Sequence, residues 1–238
     1  SSNPTLGTGP YFEAHVLPTG GQAGGQPSGT EAYYSFDYGN AHFIVLDSQD
    51  NAVQQNSSML DWLQADLAAT TQTWVIAYFH HPPYSKGSHD SDNVSDSEGR
   101  LVYMRETVVP ILEAGGVDLV LSGHSHNYER SYFINGAYGY PNFVTPSFST
   151  LSADGHILND GDGDPEGDGP YPKDPAGNPG AVYVVAGHGG KLVEGTGGHP
   201  VMFFSDVTNL GSLLLDIDED VLTLRNLLSS GVVADVAG

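Results

Sequence analysis

The chain has 238 residues, no cysteine, and 29 acidic against 7 basic side chains, for a formal net charge of −22 at pH 7. That balance excludes a face for nucleic-acid backbones, which need lysine and arginine, and disfavours anionic membranes; no apolar run approaches the roughly 20 residues of a membrane helix. One domain is the default at this length, disulfides are excluded, and an acid-rich surface suits a saline or extracellular medium, so a secreted or periplasmic protein is expected.

Residues 1–30 are rich in Gly, Ser, Thr and Pro and predict a surface loop. Residues 32–48 alternate aromatic and polar side chains around Gly39-Asn40, which predicts a β-hairpin. Ser58-Met59-Leu60-Asp61 resembles a capping box, and Leu60, Leu63 and Leu67 follow at helical spacing, so an amphipathic helix is expected as far as Ala69. Residues 74–79 form a β-rich apolar run that ends at His80-His81 and is stopped by Pro82-Pro83. Residues 100–116 read as a helix closed by Gly115-Gly116, with Pro110 predicting a kink or a late start near Val108. A second apolar run, 117–121, ends in Ser122-Gly123-His124-Ser125-His126. Residues 132–180 are dominated by Gly, Pro, Asp and aromatic residues and predict long loops. Residues 181–187 read as a strand, and 212–217 with 221–228 as a hairpin turning at Asp218-Glu219-Asp220. There is no internal repeat, and the alternation of strands and helices argues an α/β fold.

The runs 74–79 and 117–121 with the helix between them make a βαβ unit, whose crossover is right-handed. Its parallel strands present their C-terminal ends on one edge, where α/β proteins place ligands. His80, His124 and His126 then converge from two neighbouring strands. His124 and His126 stand two apart, so in extended chain their side chains point the same way, and Gly123 lets the backbone turn tightly. Imidazole is a common ligand of Zn, Fe, Cu and Ni, so a metal is the expected occupant. The bland reading is three hydrogen-bonded structural histidines. His15, His42, His156, His188 and His199 are assigned to structure or solvent. The alternating carboxylates Asp160, Asp162 and Asp164 resemble the first half of a calcium loop. Counted from Asp160, Pro165 and Tyr171 fill the sixth and twelfth places, so it is not an EF-hand, and a solvated acidic loop is the simpler reading.

Phe79-His80-His81-Pro82-Pro83-Tyr84 and Gly123-His124-Ser125-His126-Asn127-Tyr128-Glu129-Arg130 resemble the last two motif blocks of the calcineurin-like metallophosphoesterases, and most closely their purple acid phosphatase branch. Residues 33–48 and Ser85-Lys86-Gly87-Ser88-His89-Asp90 are similar to the same branch. The resemblance implies that residues 1–238 are the C-terminal portion of a single catalytic domain, part of a four-layer α-β-β-α sandwich. It implies hydrolysis of phosphate monoesters by a hydroxide that two metal ions (Fe, Zn or Mn) activate, with diesters or nucleotides as the alternative. His126 would bind the first metal, and His80 with His124 the second. His89 would reach the phosphate or protonate the leaving alkoxide. Asp90 stands where plant members carry a further histidine. His81 is expected behind the ligands, holding a carboxylate or carbonyl, and Tyr128 with Arg130 beside the site as packing and loop-fixing groups. The family's three earlier blocks, Asp-x-His, Gly-Asp-x-x-Tyr and Gly-Asn-His-Asp/Glu, do not occur in residues 1–238. Their ligands are therefore expected from a missing N-terminal half, in cis or as a bound chain. A non-catalytic fragment and a calcium-dependent interaction module are the rival classes.

Overall fold

Strand runs covered on both faces set the architecture. The computed structural model describes residues 7–50, 57–139, 145–173, 180–193 and 195–238. Its central sheet holds, in spatial order, β1 (Tyr34–Tyr38), β2 (Ala41–Val45), β3 (Trp74–Tyr78), β4 (Leu119–Ser122), β8 (Val182–Ala186), β5 (Tyr128–Ser131) and β9 (Met202–Asp206). β2, β3, β4 and β8 are parallel, and β1, β5 and β9 pair antiparallel to their neighbours. The expected hairpin is β1–β2, and Gly39 takes the positive φ of 60° that its two-residue turn needs.

The βαβ unit is present, with β3 and β4 in register from Ile76–Leu119 to Tyr78–Leu121. Its helix is broken as Pro110 demands. α3 (Arg100–Tyr103) passes into a π-turn at Met104–Val108 and resumes as α4 (Val109–Ala114). Proline sits in the first turn of α4, where its missing N–H costs nothing, and the wider π-turn makes room for its ring.

Period-two alternation sorts the strand side chains between two cores. Val75, Ala77, Val120 and Val185 join Leu63 and Leu67 of α2 (Ser57–Ala69) and Leu112 of α4. Trp74, Ile76, Leu119 and Val184 face Leu222 and Leu224 of a smaller sheet. That sheet orders β10 (Gly211–Asp218), β11 (Val221–Leu228) and β12 (Val233–Ala237). Helices, large sheet and small sheet form an α-β-β stack. Each fully buried aliphatic side chain in the two cores contributes about 1.5–3 kcal/mol.

Several expectations need correction. Ser58 lies inside α2 rather than at its cap, because the helix already includes Ser57. The region 132–180 is not all loop. It holds β6 (Phe133–Ile134), α5 (Phe148–Ala153) capped by Ser147 Oγ, and β7 (Ile157–Asn159), which pairs with β6. A short helix from Pro10–Ala14 (α1) interrupts the N-terminal loop. Residues 1–6, 140–144 and 174–179 of the two expected loop regions lie outside the described residues. β5, β9 and β12 have no counterpart in the sequence reading. β5 reads Tyr-Glu-Arg-Ser, yet all four residues are buried. Glu129 accepts from Ser85 Oγ (2.6 Å) and the Lys86 N–H (3.2 Å), and Arg130 Nε donates to Asp235 Oδ2 of β12 (2.6 Å). Satisfied charges let a polar segment enter the core.

Candidate metal centre

The β3–β4 ladder carries the histidines to one point. Phe79 N–H donates to Leu121 O (3.1 Å) and Gly123 N–H to His80 O (3.1 Å), one step beyond each strand. His80 Nε2 and His124 Nδ1 then stand 3.1 Å apart. His81 joins them, with ring centroids 4.9 Å from His80 and 4.5 Å from His124. One nitrogen of each of the three lies within 4.8 Å of the others. His81 is buried, and its Nδ1 pairs with Ser48 Oγ (2.9 Å) just past β2. A hydroxyl thus takes the place of the carboxylate or carbonyl expected there.

Electrostatics keep this cluster uncharged. Burial depresses His81 to about 3 and His124 to about 4, with neighbouring imidazoles adding repulsion. Burial, with His126 and His89 behind it, also lowers His80. Neutral imidazoles offer lone pairs. Two nitrogens each about 2.0–2.1 Å from one zinc-like ion lie about 3.0–3.4 Å apart, which the His80–His124 separation matches.

The Gly-His-Ser-His segment is not extended, contrary to the expectation. Ser125 N–H donates to Gly123 O (2.7 Å) around His124, whose φ is 63°. This is a γ-turn with positive φ, a strained form. The turn belongs to His124, and a Cβ on Gly123 would make only ordinary contact, 3.8 Å from His80 Nδ1. The glycine the loop does require is Gly187, at the end of β8, where a Cβ would lie 1.9 Å from Ser125 O. His126 consequently stands outside the group of three. Its N–H donates to Ser88 Oγ (3.0 Å), and among the described residues its Nδ1 is buried without a hydrogen-bond partner.

His89 stacks on His124 with ring centroids 3.9 Å apart, and its Nδ1 meets Asp96 Oδ1 at 2.8 Å. Its N–H donates to Ser125 Oγ (3.1 Å), which fastens the His89 loop to the histidine turn. His89, Asp96 and His124 form a second convergent group. Asp90 is turned to Lys86, with which it forms an ion pair. Tyr128 is fully buried and donates to Asp235 Oδ2 (2.6 Å). It therefore fixes β5 to β12 and does not face substrate. Asp162 and Asp168 accept each other's backbone N–H groups, and Asp164 Oδ1 accepts that of Glu166 (2.9 Å). Asp160, Asp162 and Asp164 do not appear among the convergent groups of the described residues. His42 is no bystander: its nitrogens lie 2.7 Å from Asp37 and 2.9 Å from Asp66. Sequence reading missed Ser48, Asp96 and Ser97 at the site, because nothing in their spacing marks them.

The calcineurin-like phosphoesterase family model matches residues 4–128, more than half of the chain. The chain belongs to the calcineurin-like phosphoesterase family. Among its relatives, purple acid phosphatase 18 of Arabidopsis thaliana is 36% identical over 111 residues, covering 45% of this chain and 24% of that protein. Purple acid phosphatase 23 of the same plant is 31% identical over 154 residues, 62% of this chain and 30% of the relative. The chain thus spans about a quarter to a third of the length of these relatives. The solved purple acid phosphatase PPD1 from yellow lupin (Lupinus luteus) seeds shares the fold. Its TM-score is 0.53 at 21% identity, over 86% of this chain and 32% of that one. The family implies metal ions, and the donor set fits them: unprotonated imidazoles, an orphaned buried nitrogen on His126, and no thiolate.

Proposed function

We propose that this chain contributes the histidine ligands of a two-metal centre that hydrolyses phosphate monoesters, with diesters or nucleotides as the next substrate class. The observation that carries the reading is the facing pair His80 Nε2 and His124 Nδ1 at adjacent parallel strand ends, with His81 beside both and His89 stacked on His124. His80 and His124 would hold one ion and His126 the other, with Fe, Zn or Mn suited to such ligands. Bound there, the ions supply Lewis-acid polarisation of the phosphoryl oxygen and a lowered pKa for water. His89 keeps the Nδ1 proton toward Asp96, and in its doubly protonated form it would give the Nε2 proton to the leaving oxygen, which leaves the neutral Nδ1–H tautomer behind. His81 fills the space behind His124 and excludes water there.

The His80–His81–His124 group contains no carboxylate, and two cations held close together need negative ligands between them. We assign those ligands to a complementary segment, in cis or as a bound chain. An open apolar hollow lined by Phe43, Tyr78, Phe79 and Leu121 supports this. Export to a saline medium is our reading of the −22 charge; among the described residues no helix is long and apolar enough to cross a membrane. The test is hydrolysis of 4-nitrophenyl phosphate and of its bis ester by the protein together with its complementary segment, before and after chelation. Chelator-sensitive monoester hydrolysis that His80→Ala abolishes is the expected result. Hydrolysis indifferent to both would overturn the proposal.

A further inference from the structure

Beside the histidines the chain takes a conformation that L-residues avoid. Ser97 and Glu98 have φ of 49° and 59°, and Gly99 follows at 79°. A left-handed non-glycine residue costs roughly 1–2 kcal/mol, so two in succession persist only where the surroundings hold them there. The turn places two side chains. Ser97 Oγ lies 2.7 Å from His124 Nε2 and donates to Asp96 Oδ1 (2.7 Å). Asp96 Oδ1 also accepts His89 Nδ1–H (2.8 Å), and Oδ2 accepts the Asp90 N–H (2.8 Å). Arg100 Nη1 donates to Ser97 O (2.9 Å) and Nε to Gln49 O (2.8 Å), which pins the turn from outside.

The directions of these bonds fit together in one way. The Asp96 carboxylate only accepts, so the Ser97 hydroxyl gives its proton to it and must accept from His124 Nε2–H. That leaves Nδ1, the nitrogen facing His80, as the lone-pair atom of His124. The same carboxylate fixes the proton of His89 on Nδ1. We propose that Asp96 and Ser97 are positioning residues that set the tautomer and orientation of both the ligand His124 and the substrate-side His89. The inference rests on the metallophosphoesterase reading of this site. Partners of this kind behind metal-binding histidines are worth about 10–100-fold in metal affinity.

The test uses the whole chain with Co²⁺ alone as probe, and nitrogen NMR of the imidazoles without metal. Three proteins are compared: parent, Asp96→Asn and Ser97→Gly. Ser97→Gly removes the hydroxyl together with the Cβ that strains the left-handed turn, so its melting temperature should equal or exceed the parent's. Its Co²⁺ affinity should nevertheless fall about 10–100-fold, and His124 should lose its single Nε2–H tautomer. Asp96→Asn should weaken Co²⁺ binding comparably and free the tautomer of His89. If Ser97→Gly binds Co²⁺ as the parent does and His124 keeps its tautomer, the proposal is overturned. It is overturned equally if Asp96→Asn abolishes Co²⁺ binding while Ser97→Gly leaves it intact, since Asp96 would then be a direct ligand. A parent that binds no Co²⁺ would sink the metal reading, and the tautomers of the apo chains would still decide the relay.

Discussion

Replacing Asp235 with alanine should be among the costliest single changes this fold can receive. Arg130 is fully buried on β5 and Asp235 nearly so on β12. Arg130 Nε and Nη2 reach the two carboxylate oxygens at 2.6 and 2.8 Å, and Tyr128 adds a third bond at 2.6 Å. Arg130 Nη2 also donates to Asp162 O (2.9 Å), so one guanidinium ties both sheets and the acidic loop together. Asp235→Ala would leave that charge in the core without a counterion, at a cost of about 3–5 kcal/mol. Against a total stability of about 5–15 kcal/mol, this is a large fraction. For a chain of this size it corresponds to a fall of about 6–20 °C in melting temperature. The pair itself is less valuable than its breakage suggests. Arg130→Met with Asp235→Leu removes both charges and strands neutral groups, the Tyr128 and Tyr171 hydroxyls and the Asp162 and Val236 carbonyls, so the double variant should lose less than Asp235→Ala alone. Thermal and urea unfolding followed by circular dichroism measure both. A melting temperature for Asp235→Ala within about 2 °C of the parent, or a double variant costing the sum of the singles, would refute the reasoning.

His42 should make stability fall as pH rises. Burial opposes its protonation, yet hydrogen bonds to Asp66 and Asp37 and their charges outweigh this and raise its folded-state pKa. A raised folded value means the stabilisation is full below the unfolded value, about 6.5, and is lost as pH climbs through the folded one. Melting temperature should therefore drop as pH rises above about 6.5 in the parent, and a slope no flatter in His42→Gln would count against the clamp. In the active enzyme His89→Ala should slow alkyl phosphates by about 10²–10⁴-fold and aryl phosphates much less, since only the poor leaving group needs its proton. Equal losses for both would remove the acid role. Moderate NaCl should raise the melting temperature of a chain carrying −22, because the Debye length shrinks from about 30 Å at 0.01 M to about 10 Å at 0.1 M. A salt-independent melt would contradict that.

What the sequence discloses is what lies close along the chain. His80 and His124 are legible because each closes an apolar run, and proline or glycine marks where the strand stops. The crossover between them follows from one helical pattern, and even its break is announced by Pro110. Partners brought in from afar are silent. Asp66 reaches His42 from another element, and Asp235 meets Arg130 across 105 positions. Tyr128–Ser131 hides as a strand because remote groups satisfy its charges, Asp235 pairing with Arg130 while Ser85 Oγ and the Lys86 N–H donate to Glu129. The His124 turn and the left-handed Ser97-Glu98 pair break the local preferences from which a sequence is read. That such breaks gather at the site is what a strained functional loop produces.

Metal content is the most direct test of the central claim. The protein, purified with the complementary segment proposed for it, is analysed by elemental mass spectrometry beside His80→Ala and His124→Ala, with circular dichroism confirming that all three are folded. Fe, Zn or Mn should be bound to the parent and depleted in each folded variant, with phosphatase activity falling in step. Variants that keep the parent's full metal complement, or a metal-free parent that still hydrolyses phosphate esters, would contradict it.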